Sequence, residues 1–243
     1  MSITLPSRKS GVKRSNPEFM IMFGKPKNGK TTALSLLDNC LIIDLEGGSR
    51  YVDALSVEVN DIRELFQVAK QIEEAGKPYK YIALDTATKL EDELIMPLAI
   101  RNYKNTPMGK AYDGDDLRKL PNGAGYLYLR EAFKQVITRF RDLCDTLILV
   151  SHCNEKMIEK EGKEMFELEM DLSGKLKRII AAQADAIGYL YRKGNQVFLN
   201  FNGGGDAIIE ARSPHLSNKE FLLTEKSEEG IFKHNWDNIF LKD

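Results

Sequence analysis

The residues whose types and spacing carry the clearest chemistry are Gly24-Lys25-Pro26-Lys27-Asn28-Gly29-Lys30-Thr31, followed by Thr32. They form a complete G-x-x-x-x-G-K-[ST] string. Its glycines let successive backbone N–H groups curl around phosphate oxygens, and a helix that starts at the second glycine adds its partial positive charge. Lys30 of such a loop bridges the β- and γ-phosphates of a nucleoside triphosphate, and the Thr31 hydroxyl ligates Mg2+. An ordinary Gly-rich turn is the competing reading. It does not explain the apolar strand before the string and the helical pattern after it, which the phosphate chemistry requires.

A metal at Thr31 needs a carboxylate, and Tyr81-Ile82-Ala83-Leu84-Asp85-Thr86 delivers Asp85 at the end of an apolar strand. A strand-end Asp that caps the next helix is the alternative. Leu41-Ile42-Ile43-Asp44-Leu45-Glu46-Gly47-Gly48 is a second strand ending in an acidic turn, where Glu46 can act on water as general base or positioning group, or be a solvated turn glutamate. Leu147-Ile148-Leu149-Val150-Ser151-His152 ends a third strand on a polar side chain that can touch the γ-phosphate or its water; a surface histidine is the plain reading.

These side chains need a scaffold. Residues 19–23, 41–44, 81–85 and 146–151 are short apolar runs of the kind buried on both faces of a parallel sheet. Helical patterns lie between them, at 31–37, at 61–75 with Asp61 as N-cap and Gly76 as stop, and at 127–143. The fold class expected is α/β with a largely parallel central sheet and ligands at the carboxyl ends of its strands. After Ser151, residues 155–160 and 165–172 around Glu161-Gly162-Lys163 predict a hairpin with one wet face, and a helix follows at 176–184. Residues 186–192 and 196–201 predict an antiparallel pair, with a last strand at 207–210 beyond the Gly203–Gly205 turn, so the sheet is expected to be mixed. The organisation expected is a basic, flexible arm at 1–17 holding Arg8, Lys9, Lys13 and Arg14, a nucleotide-binding core at 18–215 and a tail at 216–243. Residues 101–125, rich in Gly, Pro, Asn and Asp, predict a long mobile loop.

Composition narrows the function classes. In 243 residues, 35 Lys and Arg balance 36 Asp and Glu, so no global positive field holds nucleic acid and any such contact is local. No apolar run approaches the ~18 residues of a membrane span, and the basic N-terminus is not followed by a secretory apolar stretch, which points to the cytoplasm and away from a membrane. Cys40, Cys144 and Cys153 form no C-x-x-C pair and the three histidines lie far apart, so a zinc site is not expected. A small-molecule kinase would close an Arg-rich lid over its phosphates, and no such cluster stands in the chain.

In that chain order the motifs resemble the RecA-type branch of P-loop ATPases: Walker A at 24–31, the glutamate at Glu46, Walker B at Asp85 and the strand-end sensor at His152. Within it the sequence is similar to phage-encoded, RecA-core single-strand annealing ATPases of the phage nucleotide-binding, AAA-domain type, over residues 17–215. The resemblance implies a RecA-like core, ATP and Mg2+ as cofactors, and slow hydrolysis open to stimulation by DNA. It implies a homo-oligomer as well, single-stranded DNA and a single-strand-binding protein as partners, and the host cytoplasm as location. Glu46, Lys30 and His152 take the catalytic places, although the sensor is glutamine in RecA itself. Arg212, in Glu210-Ala211-Arg212, takes the place of a trans-acting finger, with Lys156 as rival and an ordinary surface arginine as alternative. DNA contacts fall on 101–125 and 154–172, where Tyr103, Tyr112, Tyr126 and Tyr128 can stack bases, with packing in the helix that follows as the alternative for Tyr126 and Tyr128. A nucleotide-switched binding module that recruits a replication or packaging partner with little turnover is the alternative function.

Overall fold

The computed structural model describes residues 11, 15–160, 163–203 and 208–242, without the side chains of residues 156 and 158–167. Arg8, Lys9, Lys13 and Arg14 of the expected arm, and Gly204, Gly205 and Ala207, lie outside the described residues.

Strands β1 (Phe19–Phe23), β2 (Cys40–Asp44), β3 (Ser56–Glu58), β4 (Tyr81–Asp85), β5 (Thr146–Ser151) and β8 (Ala186–Lys193) run parallel in the order β8-β1-β5-β4-β2-β3. Strand β5 therefore separates the strand before the phosphate loop from the strand ending in Asp85. Every residue of β1, β2, β4 and β5 is buried, and the two-residue period divides them between two cores. Phe19, Ile21, Phe23, Ile43 and Leu84 face one way, against Leu65, Ala69 and Ile72 of helix α2 (Ile62–Glu74) and, beyond α3 (Ala87–Lys89) and α4 (Met96–Lys104), Phe133, Val136 and Phe140 of α5 (Gly125–Arg141). Met20, Met22, Ile42 and Val150 face the other, against Ala33 and Leu34 of α1 (Lys30–Ser35). Burial on both faces is why these strands read as unbroken apolar runs. The Asp61 carboxylate caps α2 by accepting the Arg63 and Glu64 N–H groups at 2.7 and 2.9 Å.

The α/β class and largely parallel sheet are those expected, and the added strands are antiparallel. Strand β9 (Gln196–Asn200) pairs with β8, and β11 (Glu220–Lys226) and β12 (Phe232–His234) extend the same edge. The two-residue β10 (Glu210–Ala211) pairs with the start of β8, later than the strand expected at 207–210. β6 (Cys153–Lys160) and β7 (Lys163–Met170) form the expected hairpin as a separate two-stranded sheet, followed by α6 (Leu176–Gln183).

Two expectations are corrected. Residues 101–104 are helical, the end of α4 (Met96–Lys104), which continues from α3 (Ala87–Lys89) through a π-helical stretch at Leu90–Ile95; Tyr103 packs on Tyr112 and Tyr128 with ring centroids 5.5 and 4.8 Å apart, so part of the expected loop is anchored. The segment expected as a tail, 216–243, is integral: β11 and β12 join the main sheet, and Trp236, Ile239 and Phe240 are buried in the second core. Its local pattern hid this because the partners lie far back in the chain, as in Phe221 opposite Leu199.

Candidate functional site

Strand β1 ends at Phe23 and the chain turns through the glycine loop into α1. A side chain at Gly24 would place its Cβ 2.2 Å from the Leu190 carbonyl oxygen, so only glycine lets the loop cross β8. Gly29, at φ 89°, supplies the left-handed residue that turns the loop into the helix. No side chain caps the start of α1, which is the helix end whose N–H groups a phosphate accepts. Pro26 and Lys27 are exposed, Asn28 and Thr32 half-buried, and Lys25 pairs with Glu155 at the foot of the hairpin.

The Lys30 ammonium is buried and donates to the carbonyls of Gly24 and Lys25, both at 2.9 Å; burial pulls its pKa below the ordinary lysine value. His152 Nδ1 stands 3.5 Å from the same nitrogen, and its Nε2 is 3.0 and 3.2 Å from the two Glu46 oxygens. The tautomer with its proton on Nε2 satisfies both contacts, donating to Glu46 and accepting from Lys30. Thr86 Oγ1 also donates to Glu46, at 2.7 Å. The hydrogen bond from His152 is the main reason that the Glu46 pKa lies below the ordinary glutamate value. Glu46 is thus held as an ionised acceptor beside the lysine of the loop.

Thr31 Oγ1 donates to Asp85 Oδ2 at 2.6 Å, across the gap between α1 and β4. Asp85 is 4% exposed, and burial pushes its pKa up to about 6 against the pull of the Thr31 hydroxyl. A hydroxyl and a carboxylate oxygen side by side are hard donors of the kind that magnesium takes when phosphates complete its shell. The residues therefore fit a magnesium nucleotide.

The sequence reading did not single out Asp44, which builds the turn under Glu46. Its Oδ1 accepts the N–H groups of Glu46 and Gly47 at 2.9 and 2.8 Å, and its Oδ2 that of Ser49 at 2.7 Å. Burial opposes its charge, but the Ser49, Glu46 and Gly47 donors hold its pKa below the ordinary aspartate value. The available signal was an Asp just ahead of Gly47-Gly48, where a short carboxylate closes a turn on its own backbone. Thr86 and Thr88 also went unnoticed; Thr88 Oγ1 donates to the Asp171 carbonyl and accepts the His152 N–H, tying the start of α3 to the base of the hairpin.

Lys30, Thr31, Glu46, Asp85 and His152 come together at the carboxyl ends of the parallel strands. Arg212 does not join them. It follows β10, whose Ala211 lies opposite Ala186, and Ala186 is level with Met20 at the entry of β1. Its guanidinium reaches Asp185 Oδ1 at 3.2 Å and the Ala182 carbonyl at 3.0 Å, while Asp185 Oδ2 accepts the N–H groups of Glu18 and Phe19. Arg212 therefore braces the amino ends of β1 and β8, at the opposite end of these strands from the phosphate loop. The side chain of Lys156 lies outside the described residues.

Residues 16–230 match the family model described as an AAA domain. Among solved structures, one titled as the crystal structure of the RadB recombinase is 13% identical, covering 90% of this chain and 92% of that one with a TM-score of 0.49. No curated protein matches the sequence. Among the described residues, no helix is long and apolar enough to cross a membrane.

Proposed function

The chain belongs to the AAA-domain family, and from that premise we propose that it binds ATP with magnesium and hydrolyses it slowly. The observation that carries the reading is the Thr31–Asp85 contact of 2.6 Å beside a phosphate loop whose lysine stands within reach of the Glu46–His152 pair. Magnesium, when bound, offsets the negative charge that crowds the β- and γ-phosphates. Thr31 and Asp85 would hold it. Lys30 exchanges its backbone acceptors for phosphate oxygens, and the loop N–H groups orient the chain of phosphates. Glu46 accepts a hydrogen bond from the attacking water. Its lowered pKa keeps it ionised, so it can take that hydrogen bond as a general base or as a positioning group. Its carboxylate also engages His152 and Thr86, two donors that compete with water for the same oxygens. That same observation favours, as a second reading, a nucleotide-switched binding module with little turnover.

The substrate on which ATP is spent is proposed to be single-stranded DNA, in recombination by a phage-encoded homo-oligomer working with a single-strand-binding protein in the host cytoplasm. Support comes from the order of the motifs and from the exposed cations Arg101, Lys104 and Lys110 on and after α4. Arg118 and Lys119 are already paired with Asp116 and Asp115. The test measures phosphate release by the parent, Lys30→Ala and Glu46→Gln, with and without an oligonucleotide at several salt concentrations. Lys30→Ala is expected to lose binding and turnover, and Glu46→Gln to keep affinity with ~10²-fold slower turnover. Parent turnover in Lys30→Ala refutes the phosphate-loop assignment; oligonucleotide binding that does not weaken with salt refutes contacts to the DNA backbone.

A further inference from the structure

Helix α1 presents Lys30, Thr31 and Thr32 from only six residues. Isolated helices shorter than ~12–15 residues are marginal in water, so this one takes its orientation from what packs on it. Ala33 and Leu34 supply apolar contact. The directional contact comes from the other end of the chain, where Trp236 Nε1 donates to the Ala33 carbonyl at 2.8 Å in a buried hydrogen bond. At the end of α1 itself the same carbonyl accepts a longer bond, 3.3 Å, from the Leu36 N–H.

The indole is 2% exposed and stacks on Phe240, with centroids 5.7 Å apart and planes 12° from parallel. Phe240 in turn packs on Tyr81 at 4.6 Å, and Tyr81 is the first residue of the strand that ends in Asp85. One C-terminal turn thus grips both elements whose far ends meet in the Thr31–Asp85 hydrogen bond. The turn is itself fastened: Asn16 and Leu241 exchange two hydrogen bonds of 2.8 Å, and His215 Nε2 donates to the Ile239 carbonyl at 3.0 Å. Trp236 and Phe240 both lie beyond residue 230, where the family match ends.

We propose that Trp236 is a positioning residue of the phosphate site, holding α1 through the Ala33 carbonyl so that the Thr31 hydroxyl stays in register with Asp85. The proposal rests on the reading of residues 24–31 as a nucleotide site. A buried indole N–H must find an acceptor, and the one it finds lies on α1, two residues past Thr31, which couples the C-terminal turn to the phosphate site.

The chain contains a single tryptophan, so replacing its indole with a benzothiophene analogue during expression changes one atom at one position. Shape and stacking persist while the N–H donor is lost. Trp236→Phe serves as a second variant, and circular dichroism establishes that each protein is folded. Affinity for ATP with magnesium is measured by titration calorimetry well below the unfolding temperature. Binding is expected to weaken at least twofold in the analogue, up to the roughly fivefold that one net hydrogen bond is worth, with a similar or larger loss in Trp236→Phe. A merely structural role lowers the unfolding midpoint and leaves the affinity of the folded protein unmoved. Parent affinity in a folded benzothiophene protein overturns the positioning role. Absence of magnesium-ATP binding in the parent itself overturns the nucleotide reading instead, and the clamp with it.

Discussion

Replacing Asp85 with asparagine is expected to stabilise the nucleotide-free protein while destroying its metal site. The carboxyl is 4% exposed and its pKa is pushed up to about 6, mainly by burial, from the ordinary 3.8. At 1.36 kcal/mol per pKa unit, holding it ionised costs the fold about 3 kcal/mol. Because the folded value lies above the unfolded one, the folded state binds the proton more tightly, and stability falls as pH rises from about 4 to 6 and then stays low. Asparagine has the same outline, can still accept the Thr31 hydroxyl and carries no charge to bury. Urea unfolding followed by the emission of Trp236 at pH 8 without magnesium should show Asp85→Asn more stable than the parent by about 1–3 kcal/mol. The gain should shrink as pH falls through 6 and vanish near 4. Magnesium and nucleotide should cancel or reverse that advantage, since ligand at a hundred times its Kd stabilises the parent by about 2.7 kcal/mol and leaves the variant behind. A variant less stable than the parent at pH 8, or a difference that stays flat from pH 4 to 8, refutes the account of Asp85 as a charge kept against the interests of the fold.

Asp44→Asn should lower stability at pH 7 by about 2–3 kcal/mol, because three backbone donors lose a charged acceptor. Since the Asp44 pKa lies below its ordinary value, that stability is present at neutral pH and is lost as pH falls through the folded value, so the two unfolding curves should converge in acid; the same variant should keep most of its nucleotide affinity and lose turnover, and loss of affinity alone would move Asp44 out of the role of supporting Glu46. Arg212→Ala removes a largely exposed brace to Asp185, so unfolding should shift by no more than about 1 kcal/mol and turnover should stay within a few-fold of the parent. A loss of ~10³ in turnover would restore the trans-acting finger.

The two halves of the site differ in how far local sequence discloses them. Phosphate chemistry demands a lysine and a hydroxyl at fixed spacing after a glycine turn, and a buried parallel strand announces itself by an unbroken apolar run, so Lys30, Thr31 and Asp85 could be named without coordinates. Bracing imposes no such demand. Any donor that arrives at the Ala33 carbonyl will serve, and Trp236 arrives from 203 positions away by way of β11 and β12, whose place depends on pairing with residues such as Leu199. Arg212 shows the same limit in the opposite direction. Its type and late position suit a finger, yet the antiparallel pairing of Ala211 with Ala186 carries it to the amino ends of the strands, away from the phosphate loop, and a strand's direction and register leave almost no trace in its own few residues. Residues that touch a ligand are constrained by that ligand's chemistry, whereas residues that hold them are constrained by the fold. In this chain the fold reaches the phosphate loop from both ends: Asn16, just ahead of β1, is tied to Leu241, five residues past the tryptophan that grips α1.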